Sequence, residues 1–245
     1  MAVDWNPWHG CHKKSEGCKY CYVYRRDSRY ELDSSAVYKT KNFDLPTRKN
    51  KKGEYVVKKG SFIWTCFTSD FFLEDADEWR IEAWKMIKER SDCKFFFITK
   101  RIERFNVNLP SDWFDGYSNV HICSTCENQK RLDERMPIFL NLPIKHKSIV
   151  CEPLLEEIDI EKYLTDEIEG VVVGGESGVE ARICDYNWVL KIREACIKKN
   201  VKFTFRQTGA HFLKDGKVYT ILKKYQSWQA KKANINYSKK KIVEK

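Results

Sequence analysis

Three cysteines, Cys11, Cys18 and Cys21, fall within eleven residues at a spacing of C-x6-C-x2-C. Thiolates at that density select zinc, copper(I) or an iron–sulfur cluster. A disulfide needs pairs, and three local thiols leave one over, so a shared metal or cluster fits the count better. Gly10 and Gly17 each stand directly before a cysteine, where a backbone curling around something bulky needs freedom in φ. Structural zinc takes four protein ligands, and His9 or His12 could supply the fourth. A cubane on three cysteines instead keeps one iron open, and an open iron can hold a substrate. Spacing alone leaves both readings standing.

The elements that must carry this loop follow from a regular rhythm. Short apolar, β-branched or aromatic runs recur at 61–67, 94–99, 119–124, 147–151, 170–173 and 202–205, and residues 2–5 offer an additional first strand. Helix-length segments such as 76–90 and 188–200 lie between them, and a further helix is expected over 22–38. Strand alternating with helix predicts parallel strands with crossover helices. Six or seven such units, with no G-x-G-x-x-G after any strand, point to an open or closed barrel rather than a flat doubly wound sheet. The expected organisation is one domain over 1–225, with the cysteine loop at 9–24 and a basic insertion at 39–59, followed by a lysine-rich tail over 226–245.

In such a fold the carboxyl ends of the strands carry the active site. Here those ends read Thr68-Ser69-Asp70, Thr99-Lys100-Arg101, Cys126-Glu127-Asn128, Cys151-Glu152-Pro153, Gly174-Gly175-Glu176 and Arg206-Gln207. One polar strand end is ordinarily a helix cap or a rim salt bridge. Six of them on the side of a cysteine loop predict a pocket, with Glu127, Glu152, Lys100 and Arg206 in its wall. Glu152, held before a proline on an extended dipeptide, would aim a carboxylate inward. Gly174 and Gly175 would admit a ligand close to the backbone, and Glu176 would receive an ammonium group. No Ser/His/Asp or Cys/His arrangement appears in a nucleophile-elbow context, which excludes the common hydrolase layouts.

The 245 residues are enough for one large α/β domain or two small ones. Ten cysteines in a chain with no secretory leader predict a reducing compartment, and no apolar run reaches membrane-spanning length, so a cytoplasmic protein is expected. Cys66, Cys93, Cys123, Cys151 and Cys196 lie in apolar runs and read as small core hydrophobes, whereas Cys126 and Cys184 read as loop residues open to a redox or ligand role. The formal charge of +10 is uneven. Residues 39–59 hold eight basic side chains against Asp44 and Glu54, a net of +6, and residues 222–245 hold eight lysines against Glu244, a net of +7. The remainder is mildly acidic. Two basic segments can be a nucleic-acid footprint or simply solvated surface.

The segment Cys18-Lys19-Tyr20-Cys21 has the cysteine–any–aromatic–cysteine form that closes the cluster loop of radical S-adenosylmethionine (SAM) enzymes, although the first gap is longer than usual there. The blocks Trp5-Asn6-Pro7, Ser15-Glu16-Gly17-Cys18-Lys19-Tyr20-Cys21-Tyr22, Thr68-Ser69-Asp70-Phe71-Phe72, Ile98-Thr99-Lys100-Arg101, Cys126-Glu127-Asn128-Gln129, Cys151-Glu152-Pro153-Leu154-Leu155, Val173-Gly174-Gly175-Glu176-Ser177-Gly178 and Phe205-Arg206-Gln207 follow one another in order. Together they resemble a phage- and bacterium-encoded three-cysteine family of largely unknown function that is itself radical-SAM-like. The resemblance implies an α/β fold, a partial (β/α)6-type TIM-like barrel of parallel strands with outer helices, carrying a [4Fe–4S] cluster on Cys11, Cys18 and Cys21, with SAM chelated at the open iron. It implies reductive cleavage of SAM to a 5′-deoxyadenosyl radical, which takes hydrogen from a substrate, and hence an external electron donor. A Gly-Gly-Glu stretch contacts the SAM amino group in such enzymes. That role passes to Gly174, Gly175 and Glu176, or to Ser69 and Asp70 at the earlier strand end. The basic segments lean towards DNA or RNA as substrate. The rival reading is a nucleic-acid-binding protein with a structural iron–sulfur or zinc site and no radical chemistry.

Overall fold

The computed structural model describes residues 1–239, which divide into two compact units: 1–15, 23–124 and 141–146 in the first, and 16–22, 125–140 and 147 onward in the second.

The first unit opens with β1 (Ala2–Trp5), β2 (Trp8–His9) and α1 (Tyr22–Asp27), then β3 (Tyr38–Lys39), β4 (Phe62–Thr65), α2 (Asp77–Glu89), β5 (Lys94–Thr99) and β6 (Val120–Thr125). Strands β1, β4, β5 and β6 pair in that order, all parallel, while β2 and β3 form a small antiparallel pair. The helix expected over 22–38 is much shorter, giving way after Asp27 to a 3-10 turn and an irregular segment. Strand β5 alternates as a half-buried strand must, turning Phe95, Phe97 and Thr99 to one face. The same alternation that buries two phenylalanines therefore delivers a hydroxyl at the strand's end. Helix α2 buries Arg80, Ala83, Trp84 and Ile87, the i, i+3, i+4, i+7 face of an amphipathic helix. Its Asp77 and Glu78 sit in the first turn and Lys88 in the last, favourable to the helix dipole. Trp84 meets Phe71 edge-on at 4.9 Å, and Phe71 meets Phe97 at 4.5 Å, so an aromatic core lies under the loop that follows β4.

The second unit comprises α3 (Gln129–Asn141), β7 (His146–Cys151), β8 (Ile168–Gly174), β9 (Ile183–Asp185), α4 (Tyr186–Lys198), β10 (Lys202–Gln207), β11 (His211–Lys214), β12 (Lys217–Thr220) and α5 (Lys223–Lys232). Strands β7, β8 and β10 pair in parallel, completing a set of seven parallel strands across the chain where the sequence offered six, or seven with residues 2–5. The class is α/β, as expected. Helix α3 buries Leu132, Arg135, Met136 and Phe139, again i, i+3, i+4, i+7, and places an arginine on its inward face. Asp185 caps α4 by accepting from the Asn187 N–H at 2.8 Å.

Two features lay outside the sequence reading. A second sheet, β9 parallel to β11 and β11 antiparallel to β12, follows the parallel strands. Over the segment read as a lysine-rich tail from residue 226, α5 runs to Lys232, and Tyr237 bridges to Phe203. Residues 240–245 of that tail lie outside the described residues. Finally, the pairing of β10 with β8 shifts register between Phe205 and Gln207. No helix among the described residues is long and apolar enough to cross a membrane.

Candidate functional site

In the first unit the chain around Cys11 is held from several sides. Gly10 has φ of +93°, and a Cβ there would lie 2.4 Å from the Ala36 carbonyl oxygen, so only glycine fits before Cys11. The Cys11 N–H donates to the Ser34 carbonyl at 2.8 Å, the Ser69 hydroxyl donates to the Gly10 carbonyl at 2.5 Å, and the Tyr24 hydroxyl donates to the Cys11 carbonyl. Ser69 is thus committed to the loop backbone. Behind these contacts His9, Asp27 and Ser34 form a buried polar knot. His9 Nε2 lies 2.9 Å from Asp27 Oδ2, and the Ser34 hydroxyl donates to the same oxygen at 2.7 Å. Burial pushes the Asp27 pKa up, but hydrogen bonds from Ser34, His9 and Arg26 outweigh it and hold the carboxyl below its ordinary value.

The end of β5 reaches the same loop. Asp70 accepts from the Thr99 hydroxyl at 2.7 Å, from the Lys100 N–H at 3.0 Å and from the Phe72 N–H at 3.0 Å. The guanidinium of the buried Arg101 donates to the His12 carbonyl at 2.7 Å and stands 3.7 Å from Cys11 Sγ and 3.5 Å from Asp70. Burial disfavours its charge, yet Asp70, Cys11 and Glu74 together raise its pKa. Sequence reasoning marked Lys100 for the pocket wall; in the structure Lys100 contributes its backbone N–H, while the neighbouring Arg101 contributes the charge.

In the second unit the chain around Cys18 and Cys21 is seated on strand ends and α3. The Gly17 N–H donates to Glu127 Oε1 at 3.3 Å, and Glu127, fully buried, pairs with Arg135 at 2.6 Å. Arg135 also donates to the Thr125 carbonyl at 2.6 Å. Glu16 receives Arg131 through both oxygens at 2.9 Å, and the Arg131 hydrogen bond pulls the Glu16 pKa down to about 2. The Arg182 guanidinium lies 5.4 Å from the Tyr20 ring centre and pairs with Glu176 at 2.7 Å. Glu176 and Glu127 both act electrostatically on Arg182. Glu176 is therefore already neutralised by a cation of the chain.

Glu152, after a cis Glu152–Pro153 peptide, accepts from both Arg206 (2.7 and 2.9 Å) and Gln207. Consecutive residues of a regular strand point to opposite faces, and the register shift in β10 lets both reach one carboxylate. A Cβ on Gly175 would lie 2.3 Å from the Thr208 carbonyl oxygen, and one on Gly174 would lie 2.8 Å from Glu152 Cδ. The close approach these glycines permit is thus to the protein's own chain. The partners Arg135, Arg182 and Asp27 escaped the sequence reading; only the inward-face position of Arg135 in the apolar pattern of α3 carried a signal.

None of the ten cysteines is in a disulfide. Cys11, Cys18 and Cys21 are partly open, and the other seven are buried, including Cys126 and Cys184, which the sequence placed in open loops. Burial pushes the thiols of Cys66 and Cys151 up, and those of Cys184 and Cys196 up to about 12. Among the described residues, no three or more His, Cys, Asp or Glu side chains already form a group that could hold a metal ion.

The model of one family, described as protein of unknown function (DUF5131), matches residues 1–241. The chain belongs to that family. No curated protein and no solved structure matches it. For this DUF5131 member the functional reading therefore rests on its own residues.

Proposed function

We propose that the chain is a radical SAM enzyme in which Cys11, Cys18 and Cys21 hold a [4Fe–4S] cluster with one iron open. The observation that carries the reading is the partition of the ten cysteines: three part-open thiols on one loop and seven buried ones, of which Cys66, Cys93, Cys151, Cys184 and Cys196 have their pKa raised by burial. A bound cluster of this kind supplies the electron that cleaves SAM to methionine and a 5′-deoxyadenosyl radical, with an external donor restoring the electron. The chain's own share is to hold the loop and position the ligand.

Ser69, Asp70, Arg101 and Glu127 support the loop, because each is already bonded to its backbone or to a residue that is. Arg206 differs from the carboxylates of the candidate set. Its side chain is 60% exposed, against at most 14% for Glu152, Glu176, Glu127 and Asp70. Although it pairs with Glu152, its exposed edge would meet an anionic group on SAM or substrate. The zinc alternative loses one of its fourth ligands: both ring nitrogens of His9 are engaged, Nε2 with Asp27 and Nδ1 with Arg26 at 3.4 Å.

Anaerobic reconstitution with iron and sulfide, then reduction with and without SAM, tests the reading. A cubane EPR signal that changes with SAM, together with released 5′-deoxyadenosine, is the expected result. Stoichiometric zinc with no cluster and no response to SAM would sink it.

A further inference from the structure

We propose that the face made by β11, β12 and α5 binds single-stranded nucleic acid. This inference stands on the second unit alone and is independent of any cluster.

Its first support is uncompensated charge. Residues 211–239 carry seven lysines against Asp215 as the one acidic residue. Elsewhere exposed lysines find carboxylates, as Lys39 does with Glu82 at 3.0 Å and Lys162 with Asp133 at 3.0 Å. Here Lys214 reaches Asp215 at 3.9 Å, while Lys217, Lys223, Lys224, Lys231 and Lys232 have no carboxylate within salt-bridge distance among the described residues. Their neighbours are aromatic rings instead: Lys217 lies 5.2 Å from the Tyr219 ring centre, Lys224 4.9 Å from Tyr225 and Lys232 5.3 Å from Trp228.

The second support is the composition of α5. Lysines at 223 and 224 occupy its first turn with no acidic residue there, and its N-cap residue Leu222 makes no side-chain cap bond. Positive charge at a helix N-terminus opposes the macrodipole, so this placement costs stability that helix formation alone gives no reason to spend. An anionic partner would reverse that cost.

The third is an open aromatic platform. Tyr225 is 47% and Trp228 54% exposed although both are large rings. Three residues apart on a helix, they share a face about 4.5 Å apart along its axis. Beside them a groove of about 770 Å³ is lined by Tyr186, Phe205, Phe212, Tyr219, Tyr225 and Lys232. Tyr186, Phe205 and Phe212 form the floor of mutually packed rings. Stacking rings interleaved with cations is what unpaired bases on a phosphate chain require, and a duplex, whose bases are already stacked inside, cannot use the rings. A membrane surface fits less well, because α5 lacks the broad aliphatic stripe of an interfacial helix.

The test is fluorescence anisotropy of the full chain with a labelled 20-nucleotide oligo-dT, the matching duplex, and anionic phosphatidylserine vesicles as competitor. Salt-dependent binding that prefers the single strand is expected. Trp228→Ala and Tyr225→Ala should each weaken it by roughly fivefold to a hundredfold, the range for loss of one stacked base. Lys223→Glu with Lys224→Glu should weaken it and flatten the salt dependence, while Lys51→Glu with Lys52→Glu in the other basic segment should leave it unchanged. Circular dichroism melts would check that each variant folds. The proposal is overturned by no binding at 50 mM salt, by equal or tighter duplex binding, by displacement onto vesicles, or by insensitivity of folded Trp228→Ala to the loss of its ring. None of these outcomes bears on whether the loop builds a cluster.

Discussion

The cysteine loop and the core hold the same side chain in opposite surroundings. Cys123 on β6, Cys151 on β7 and Cys196 on α4 are wholly buried, where a thiol is a small hydrophobe, and burial raises the pKa of Cys151 and Cys196. Cys11, Cys18 and Cys21 stand part-open on a segment without long regular structure, tied down through backbone groups rather than by packing of the sulfurs. The difference teaches that the chain invests its polar contacts in fixing the loop's main chain. Buried carboxylate–arginine pairs at strand ends act as brackets for that loop.

Deleting thiols in each region gives the widest contrast. Cys11→Ala, Cys18→Ala or Cys21→Ala should each abolish reconstituted iron while leaving the fold intact. Cys123→Ala should keep the iron and lose about 1–2 kcal/mol of stability from its small cavity. Iron and sulfide assays beside urea melts decide this, and iron retained by all three loop variants would erase the distinction.

A smaller effect falls on the brackets. Arg135→Leu leaves the buried Glu127 carboxylate without its cation, which should cost about 3–5 kcal/mol. Adding Glu127→Gln to Arg135→Leu should recover part of that loss in the same urea melts. If the double variant is no more stable than the single one, Glu127 is not held by charge pairing.

The smallest effect is at the loop's exposed edge. Glu16 has its pKa lowered from 4.5 to about 2 by Arg131, so its contribution is fully present above pH 4.5 and fades as pH falls towards 2. With the Glu16 side chain 44% exposed, that contribution should stay under about 1 kcal/mol. Comparing wild type with Glu16→Gln between pH 2 and 6 should show the stability gap closing at low pH. A gap independent of pH would mean the pair does not act through charge.

The order of strands and helices was legible from alternating apolar runs, because burial of one face imposes period 2 on β5 and period 3.6 on α2. The three-stranded sheet of β9, β11 and β12 was not, since β12 is wholly exposed and carries no burial pattern to read. The set of polar strand ends was visible in Glu127, Glu152, Glu176 and Asp70, but their pairing was not, because an arginine six or more residues away is chosen by packing rather than by spacing.

The sequence by itself determined which thiols share a loop, which strand ends are polar, and where lysines outnumber acids, all local properties of residue type and order. Only the tertiary structure decided that Glu127 belongs to Arg135, that Glu176 belongs to Arg182, and that Arg206 and Gln207 share Glu152. It also decided that Cys126, in the loop after β6, and Cys184, in β9, are buried thiols. Pairing and burial depend on which distant segments meet, and that is set by the whole chain's need to bury apolar surface while leaving no charge alone.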